Sequence, residues 1–335
     1  MRIYIILYSI MTTVDKPKSI SCIRTYICGC ARNCAKYLPS VLTNMKQIGD
    51  LFDDYQIVIS YDHSTDTTLQ ILESMKGLFF PTMEIIMGNP DERTAVRTQN
   101  ISRARNRILD YIESRSHDQA DYAYMIMMDM DDVCAGRMNL DVLQKHVDQE
   151  RVERVGRDVR VGREGPSWDA LSFNRREYYD IWALSLDPYM FSCWNYSNAK
   201  VVVQKMQTYV QDTLQQLLKK APDQLLRCSS AFNGLAIYRL KAFAGSRYEW
   251  SMDKVLPLFS KAQLGRSTIV TGGRILRTKE NADCEHRYFH MRATELNGAR
   301  ICISPHYLFT DFIGNGVVSD VSSGRGGSFG KLHFS

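Results

Sequence analysis

The sequence predicts an α/β protein whose sheet is mostly parallel. Three observations carry this. Short apolar runs of strand length recur at Ser21–Cys28, Tyr55–Tyr61 and Met83–Met87. The first two lead into polar turns and then segments with helical apolar spacing, a βαβ series. The fourth run, from Tyr124 to Met128, leads straight into carboxylates at Asp129, Asp131 and Asp132. Open α/β sheets bind ligands beyond the carboxyl ends of their strands, so this cluster falls where a site is expected. Carboxylates concentrated beside a buried strand are costly unless a cation neutralises them. All-oxygen ligation suits Mg²⁺ or Mn²⁺. Taken alone, the cluster reads equally well as a solvated acidic turn.

The chain has 335 residues, enough for one large domain or two modest ones, with 44% hydrophobic and 24% charged residues. Its formal net charge of +5 comes from 42 basic and 37 acidic residues without a long Lys/Arg run, which argues against a nucleic-acid partner. Nine cysteines, an odd number without a regular framework, read as reduced thiols. The apolar run Ile3–Ile10 is too short to span a bilayer, and no other segment approaches that length. These features suggest a soluble, cytoplasmic protein, or one peripheral to a membrane.

Taken in order, residues 1–20 are an N-terminal extension. Cys28–Cys34 reads as the loop after the first strand. Its three cysteines lack a nearby second pair and read as ordinary thiols rather than a zinc site. Ala35–Ile48 has Leu38, Val41, Leu42 and Met45 at helical spacing, with Pro39 near the start where proline is tolerated. The turn after the second strand, Asp62–Thr68, caps a helix to Lys76 through Asp66 or Thr67. Ile101–Glu113 is a helix carrying Arg103, Arg105 and Arg107, and Ser114–Ala120 a polar link. Leu140–Gly165 is highly charged, a solvated helix or surface loop. Ala170–Phe173 is a short strand and Lys200–Lys220 a long amphipathic helix. An apolar strand follows Gly234, while Ser267–Thr271 and Arg274–Arg277 are expected to extend the sheet. Gly and Ser dominate the end, a tail over 313–335.

Four pieces stand in a telling order: Ala31-Arg32-Asn33, the turn Asp62-x-Ser64-x-Asp66, Ala104-Arg105-Asn106, and Asp129-x-Asp131-Asp132. This order resembles glycosyltransferases of the GT-A fold, most closely the family 2-like group, over roughly residues 1–135. The later half matches more loosely, through Phe232–Arg239 and Glu285-His286. A weaker likeness, in Tyr179-Asp180-x-Trp182, is to fungal capsule mannosyltransferases and glycosyltransferases of large algal viruses.

The resemblance implies a mixed, mostly parallel GT-A sheet flanked by helices in a single large domain. Residues 21–135 would form the half that binds the nucleotide sugar, and 136–312 the acceptor and catalytic half. It implies a UDP- or GDP-sugar donor, a glycan or glycoprotein acceptor, and Mn²⁺ or Mg²⁺. In such enzymes a strand-end Asp contacts the base, and a helix bearing Ala-Arg-Asn precedes the metal-binding Asp-x-Asp. Here Asp62 would meet the base or ribose, although a simple Asx-turn fits nearly as well. Arg105 would reach diphosphate or sugar through charge-assisted bonds, and Arg32 and Asn33 would line the nucleotide pocket. Asp131 is expected to ligate the metal, with Asp129 as the donor-side partner and His286 or His290 adding a ligand. Glu285, then Asp253, are the candidate bases if the reaction inverts. Trp194 and Tyr196 would stack on an acceptor, against the commoner fate of core packing. The family's late Glu-Asp pair is Glu-His here, and the stretch between Asn106 and Asp129 is longer than usual, which leaves base and stereochemistry open.

Two other readings compete. A nucleotidyltransferase also uses paired Asp with Mg²⁺, but the early loop has one Gly and no following Lys. A non-catalytic carbohydrate-binding protein would be expected to lose the Asp-x-Asp, which is intact.

Overall fold

The computed structural model describes residues 23–115, 122–157, 168–277 and 280–310. Residues 1–20, 313–335 and most of the Ser114–Ala120 link lie outside them. The first two strands, β1 (Arg24–Ala31) and β2 (Asp54–Tyr61), pair in parallel. Helix α1 (Leu38–Gly49) connects them and buries the spaced Leu38, Val41, Leu42 and Met45. After α2 (Thr68–Leu78), strand β3 (Glu84–Met87) adds to the outer side of β2. Helix α3 (Arg97–Ser114) leads to β4 (Tyr122–Asp129), which lies parallel to β1 on the other side.

The second half adds α4 (Leu140–Arg157), β5 (Ala170–Asn174), α5 (Ala199–Lys220), β6 (Leu226–Cys228) and β7 (Leu235–Arg239). A short α6 (Met252–Val255), then α7 (Lys261–Thr271), α8 (Glu285–Asn297) and β8 (Ile301–Tyr307) complete the described chain. The eight strands form one sheet in the order β3-β2-β1-β4-β7-β5-β8-β6. Only β7 and β6 run against the rest. This is the mixed, mostly parallel sheet that the GT-A resemblance implies.

Strand alternation divides the core. Ile126 and Met128 of β4 face α1 and α4, packing with Leu42, Met45 and Leu143. Met125 and Met127 face the opposite layer, with Ile108 and Ile112 of α3 and Phe289 of α8. A third cluster sits under α5, whose Val202, Met206, Val210 and Leu214 recur every four residues and pack with Phe191 and Ile303.

The structure corrects several expectations. The cysteine-rich stretch is largely strand, since β1 continues to Ala31. Gly29 sits inside that strand because a Cβ there would lie 2.2 Å from the Met130 sulfur. Ser267–Thr271 is helix rather than strand. Ser260 and Gln263 form a reciprocal capping box at the start of α7, and Gly272 closes it in the left-handed region at φ 68°. Arg274–Arg277 contributes only an isolated bridge from Ile275 to Tyr196. Strands β6 and β8 were not expected. Pro305 within β8 and the three-residue length of β6 both weaken a strand signal. The eight cysteines among the described residues are free thiols. Among the described residues no helix is long and apolar enough to cross a membrane.

Candidate active site

A cleft of about 320 Å³ opens at the carboxyl ends of β1, β2 and β4. The loops after β1 and β2, which border it, are tied together. Asn33 adopts φ 50°, a left-handed conformation that asparagine tolerates. Its amide donates to Ser64 Oγ at 3.1 Å, and its Oδ1 accepts the Thr65 amide at 2.8 Å. The Ala35 amide donates to Asp66 Oδ2 at 3.1 Å, and the Cys34 amide to Thr68 Oγ1 at 2.9 Å. Burial pushes the Asp66 carboxyl upward, but hydrogen bonds from Thr68 and Ala35 outweigh it and hold the group below its ordinary value. Asn33 is thus a loop tie and does not line the cleft, whereas Arg32 does.

Asp62 lies at the mouth, where Arg93 Nη1 donates to its Oδ2 at 3.0 Å and Arg32 Nε stands 4.0 Å away. Burial and the charge of Arg93 lower the Arg32 pKa. Arg93 was not singled out from sequence. It follows β3 in a polar loop, and nothing local marks it as facing Asp62.

Helix α3 presents Arg97, Asn100, Ile101, Ala104 and Arg105 to the cleft, a single helical face. Of the arginines at 103, 105 and 107, only Arg105 points inward and is 5% exposed. Arg103 bonds the Glu92 carbonyl, and Arg107 Nε donates to Ser60 Oγ at 3.2 Å. Asn106 instead pins the loop at Tyr248 through two reciprocal bonds of 2.9 Å.

Asp129 ends β4 inside the cleft. Its Oδ2 accepts the Tyr179 hydroxyl at 2.9 Å, and Arg105 Nη2 stands 3.5 Å from its Oδ1. Burial raises the Asp129 pKa, while Arg105 and Tyr179 pull it back. The Asp129 amide donates to the Gly234 carbonyl at 2.9 Å. Gly234 has φ 89°, and a Cβ there would lie 2.6 Å from Val133 Cγ1 and 2.9 Å from the Tyr179 hydroxyl. Only glycine meets both demands.

Arg105 also pairs with Glu285, the first residue of α8. Burial would lower the Arg105 pKa, but the Glu285 carboxylate outweighs it and keeps the guanidinium charged. His286 is 1% exposed, its ring stacked on Phe232 at 3.8 Å and edge-on to Tyr248 at 5.5 Å. Neither ring nitrogen has a hydrogen-bond partner among the described residues. Burial, then the charge of Arg105, drive its pKa well below the ordinary value, so the ring is neutral.

Other expected residues sit elsewhere. Asp131 is 9% exposed and does not line the cleft; its Oδ1 accepts the Val133 amide at 3.1 Å, capping a short 3₁₀ turn. Among the described residues no three His, Cys, Asp or Glu side chains converge as a ready metal cage, so Asp129, Asp131 and His286 are not pre-assembled. His290 bonds Ser230 Oγ at 2.9 Å and the Tyr238 hydroxyl at 3.0 Å, a satisfied core histidine whose pKa is pushed down to about 3 by burial. Asp253 is exposed, paired with Arg277 and bonded by Asn281 at 2.7 Å, and it lies outside the cleft lining. Trp194 is 40% exposed on a 3₁₀ turn, and Tyr196 is buried with its hydroxyl 2.7 Å from Ser267 Oγ. Neither faces the cleft. That wall is formed by Tyr179, Asp180 and Trp182, from the loop after β5. Burial and the Asp129 charge raise the Asp180 pKa to about 6.

By overall geometry the chain is similar to S. aureus TarS 1-349 in complex with UDP-GlcNAc, at 13% identity and TM-score 0.42, over 88% of this chain and 59% of that one. It is also similar to the mannosyltransferase PcManGT from Pyrobaculum calidifontis in complex with GDP-Man and Mn²⁺, at 12% identity and TM-score 0.35, over 72% and 52%. A third similar structure is M. tuberculosis glucosyl-3-phosphoglycerate synthase, at 13% identity and TM-score 0.30, over 67% and 59%. In each case the chain spans less than two thirds of the matched structure's length. No curated protein matches significantly. The model for "Glycosyl transferase family 2" matches residues 26–219, more than half of the sequence, from the Tyr26 strand through Asp129 to the long helix α5. The chain belongs to glycosyl transferase family 2.

Proposed function

We propose that this protein moves a glycosyl group from a nucleoside-diphosphate sugar, with UDP or GDP as the nucleotide, to a hydroxyl of a glycan or glycoprotein. The observation that carries this reading is the composition of the cleft. Four arginines (Arg32, Arg93, Arg97 and Arg105) line one chamber together with Asp62 and Asp129. Guanidinium groups suit a diphosphate, which they bind through charge-assisted, bidentate bonds. Asp62 at the mouth serves as an acceptor for N–H or O–H groups of the nucleoside. Residues 21–135 supply this donor side and 136–312 the acceptor side.

A divalent cation fits the donor set. Mg²⁺ and Mn²⁺ sites commonly use one or two carboxylates, with phosphate oxygens and water completing the shell, so a finished protein cage is not required. Asp129, whose side chain is 27% exposed at the strand end, is the group to hold it, with Asp131 beyond. His286 borders the same chamber, and its buried ring nitrogens have no hydrogen-bond partner among the described residues. When bound, the ion supplies Lewis-acid neutralisation of charge on the leaving diphosphate. The chain's own side chains do the rest. Arg105 sets the charge next to Asp129, Glu285 holds Arg105 in place, and the Tyr179 hydroxyl fixes the Asp129 carboxylate.

Thermal melts with UDP- and GDP-sugars, with and without Mn²⁺, test the reading. At a hundredfold excess over Kd, a true donor should stabilise the wild type by about 2.7 kcal/mol. Asp129→Asn should lose the Mn²⁺-dependent part of that stabilisation while keeping its fold. A wild type indifferent to every nucleotide sugar would overturn the proposal.

A further inference from the structure

Four carboxylates line the cleft: Asp62, Asp129, Asp180 and Glu285. Three are committed to arginines. Asp62 is paired with Arg93, and Asp129 and Glu285 both engage Arg105. A carboxylate held by a guanidinium is a weak proton acceptor, because the pairing favours its charged form. Asp180 differs. Its Oδ1 accepts the Ala183 amide at 3.2 Å, and no Lys, Arg or His among the described residues forms an ion pair with it. Its Oδ2 has no hydrogen-bond partner among the described residues.

Asp180 also occupies the correct wall. It follows β5, in the half of the sheet away from Arg32, Asp62 and Arg93, and Tyr179 beside it reaches Asp129. Trp182, two residues on, lines the same chamber, and its buried indole N–H has no partner among the described residues. An aromatic face beside an open carboxylate is a chemistry that suits a sugar ring bearing hydroxyl groups. The segment is fixed from behind. The Asp180 amide is 3.3 Å from Asn233 Oδ1, and buried Arg287 bonds the Trp182 and Leu184 carbonyls.

We infer that Asp180 is the base that receives the acceptor proton and that Trp182 is the platform under the acceptor sugar, in place of Glu285, which positions Arg105. This assignment rests on the glycosyl-transfer reading. The acceptor hydroxyl gives its proton to the Asp180 carboxylate as its oxygen bonds to the anomeric carbon of the donor. The bond from that carbon to the diphosphate oxygen breaks, and its electron pair leaves with the nucleoside diphosphate.

The test uses the full chain, Mn²⁺ and a panel of UDP-glucose, UDP-GlcNAc and GDP-mannose as donors, with p-nitrophenyl glycosides as acceptors. Nucleotide release gives kcat, and equilibrium titration gives the donor Kd. Asp180→Asn retains an oxygen for the Ala183 amide, so it should fold. It is expected to lower acceptor-dependent kcat by about 10²–10⁴-fold, the range for removing a general base. Its donor Kd should stay within about threefold, and Asp180→Glu should recover part of the rate. Trp182→Ala should raise the acceptor KM with little effect on donor Kd. If Asp180→Asn turns over within about threefold of wild type, or loses donor affinity in proportion to rate, the assignment falls while the glycosyl-transfer reading stands. If the wild type binds none of the donors, that reading fails and takes the assignment with it.

Discussion

Arg105→Ala is expected to be the most damaging single change in the cleft. The side chain is buried, faces Glu285 and Asp129, and lies over the Phe232 ring at 5.1 Å and the Tyr248 ring at 5.5 Å. Deleting it leaves Asp129 and Glu285 without their shared guanidinium partner, and Arg97 and Arg175 then act on Asp129 only through longer-range charge. Removing one partner of a buried pair typically costs about 3–5 kcal/mol. Chemical denaturation should therefore show a loss of that order, as a drop in midpoint without a change in slope. Activity should fall further than stability accounts for, by about 10²–10³-fold, because the guanidinium also faces the space assigned to the diphosphate. Glu285→Gln separates the two effects. It keeps a hydrogen-bond acceptor for Arg105 without the charge, so it should be folded, with a milder loss of turnover. If Arg105→Ala were as stable and active as wild type, the ion pair would have neither role.

Arg287→Ala should be comparably severe, but through the fold alone. Arg287 is fully buried, pairs with buried Asp283, donates Nε to Ser185 Oγ at 2.8 Å, and bonds the carbonyls of Trp182 and Leu184. One side chain on α8 thus fastens the turn that follows Tyr179–Trp182. Burial would lower its pKa, but the Asp283 carboxylate outweighs that and keeps it charged. Truncation strands Asp283 and unties three backbone or hydroxyl acceptors. About 3–5 kcal/mol is again the expected cost, read as a lowered melting temperature. Donor binding per folded molecule should be nearly unchanged, because Arg287 does not line the cleft. A variant with normal stability but lost donor affinity would contradict this division.

Much of the cleft wall built by the first half of the chain was legible in the sequence because it is local. Strand, turn and helix follow one another within a few residues, so strand ends place Asp62 and Asp129, while the Ala104-Arg105-Asn106 resemblance marks Arg105 among the three arginines of its helix. The wall carrying Tyr179, Asp180 and Trp182 was not legible in this way. Asp180 and Trp182 lie in a loop without periodicity, and only the return of β7 and α8 places them opposite Asp129. Trp194 and Tyr196 were favoured for being aromatic, yet Tyr196 is drawn into packing against α7 and Trp194 stands partly exposed away from the cleft. Asp253 had no packing signal at all, and its exposed pair with Arg277 is invisible to pattern. The strand expected at Ser267–Thr271 fails because a β-branched run inside a capped segment was read with the wrong period. Both caps, Ser260 with Gln263 and Gly272, were available in the sequence.

The ties among Asn33, Ser64, Thr65, Ala35 and Asp66 have a thermodynamic consequence. They lock two exposed loops together in the folded chain. The conformational entropy of that region is therefore surrendered during folding. A ligand entering the adjoining cleft, lined by Arg32, Cys34 and Asp62 of the same loops, meets a finished wall and does not have to order it. On the glycosyl-transfer proposal, discrimination between nucleosides would then rest on shape and hydrogen-bond fit at a preformed wall, with no gain from loop adjustment.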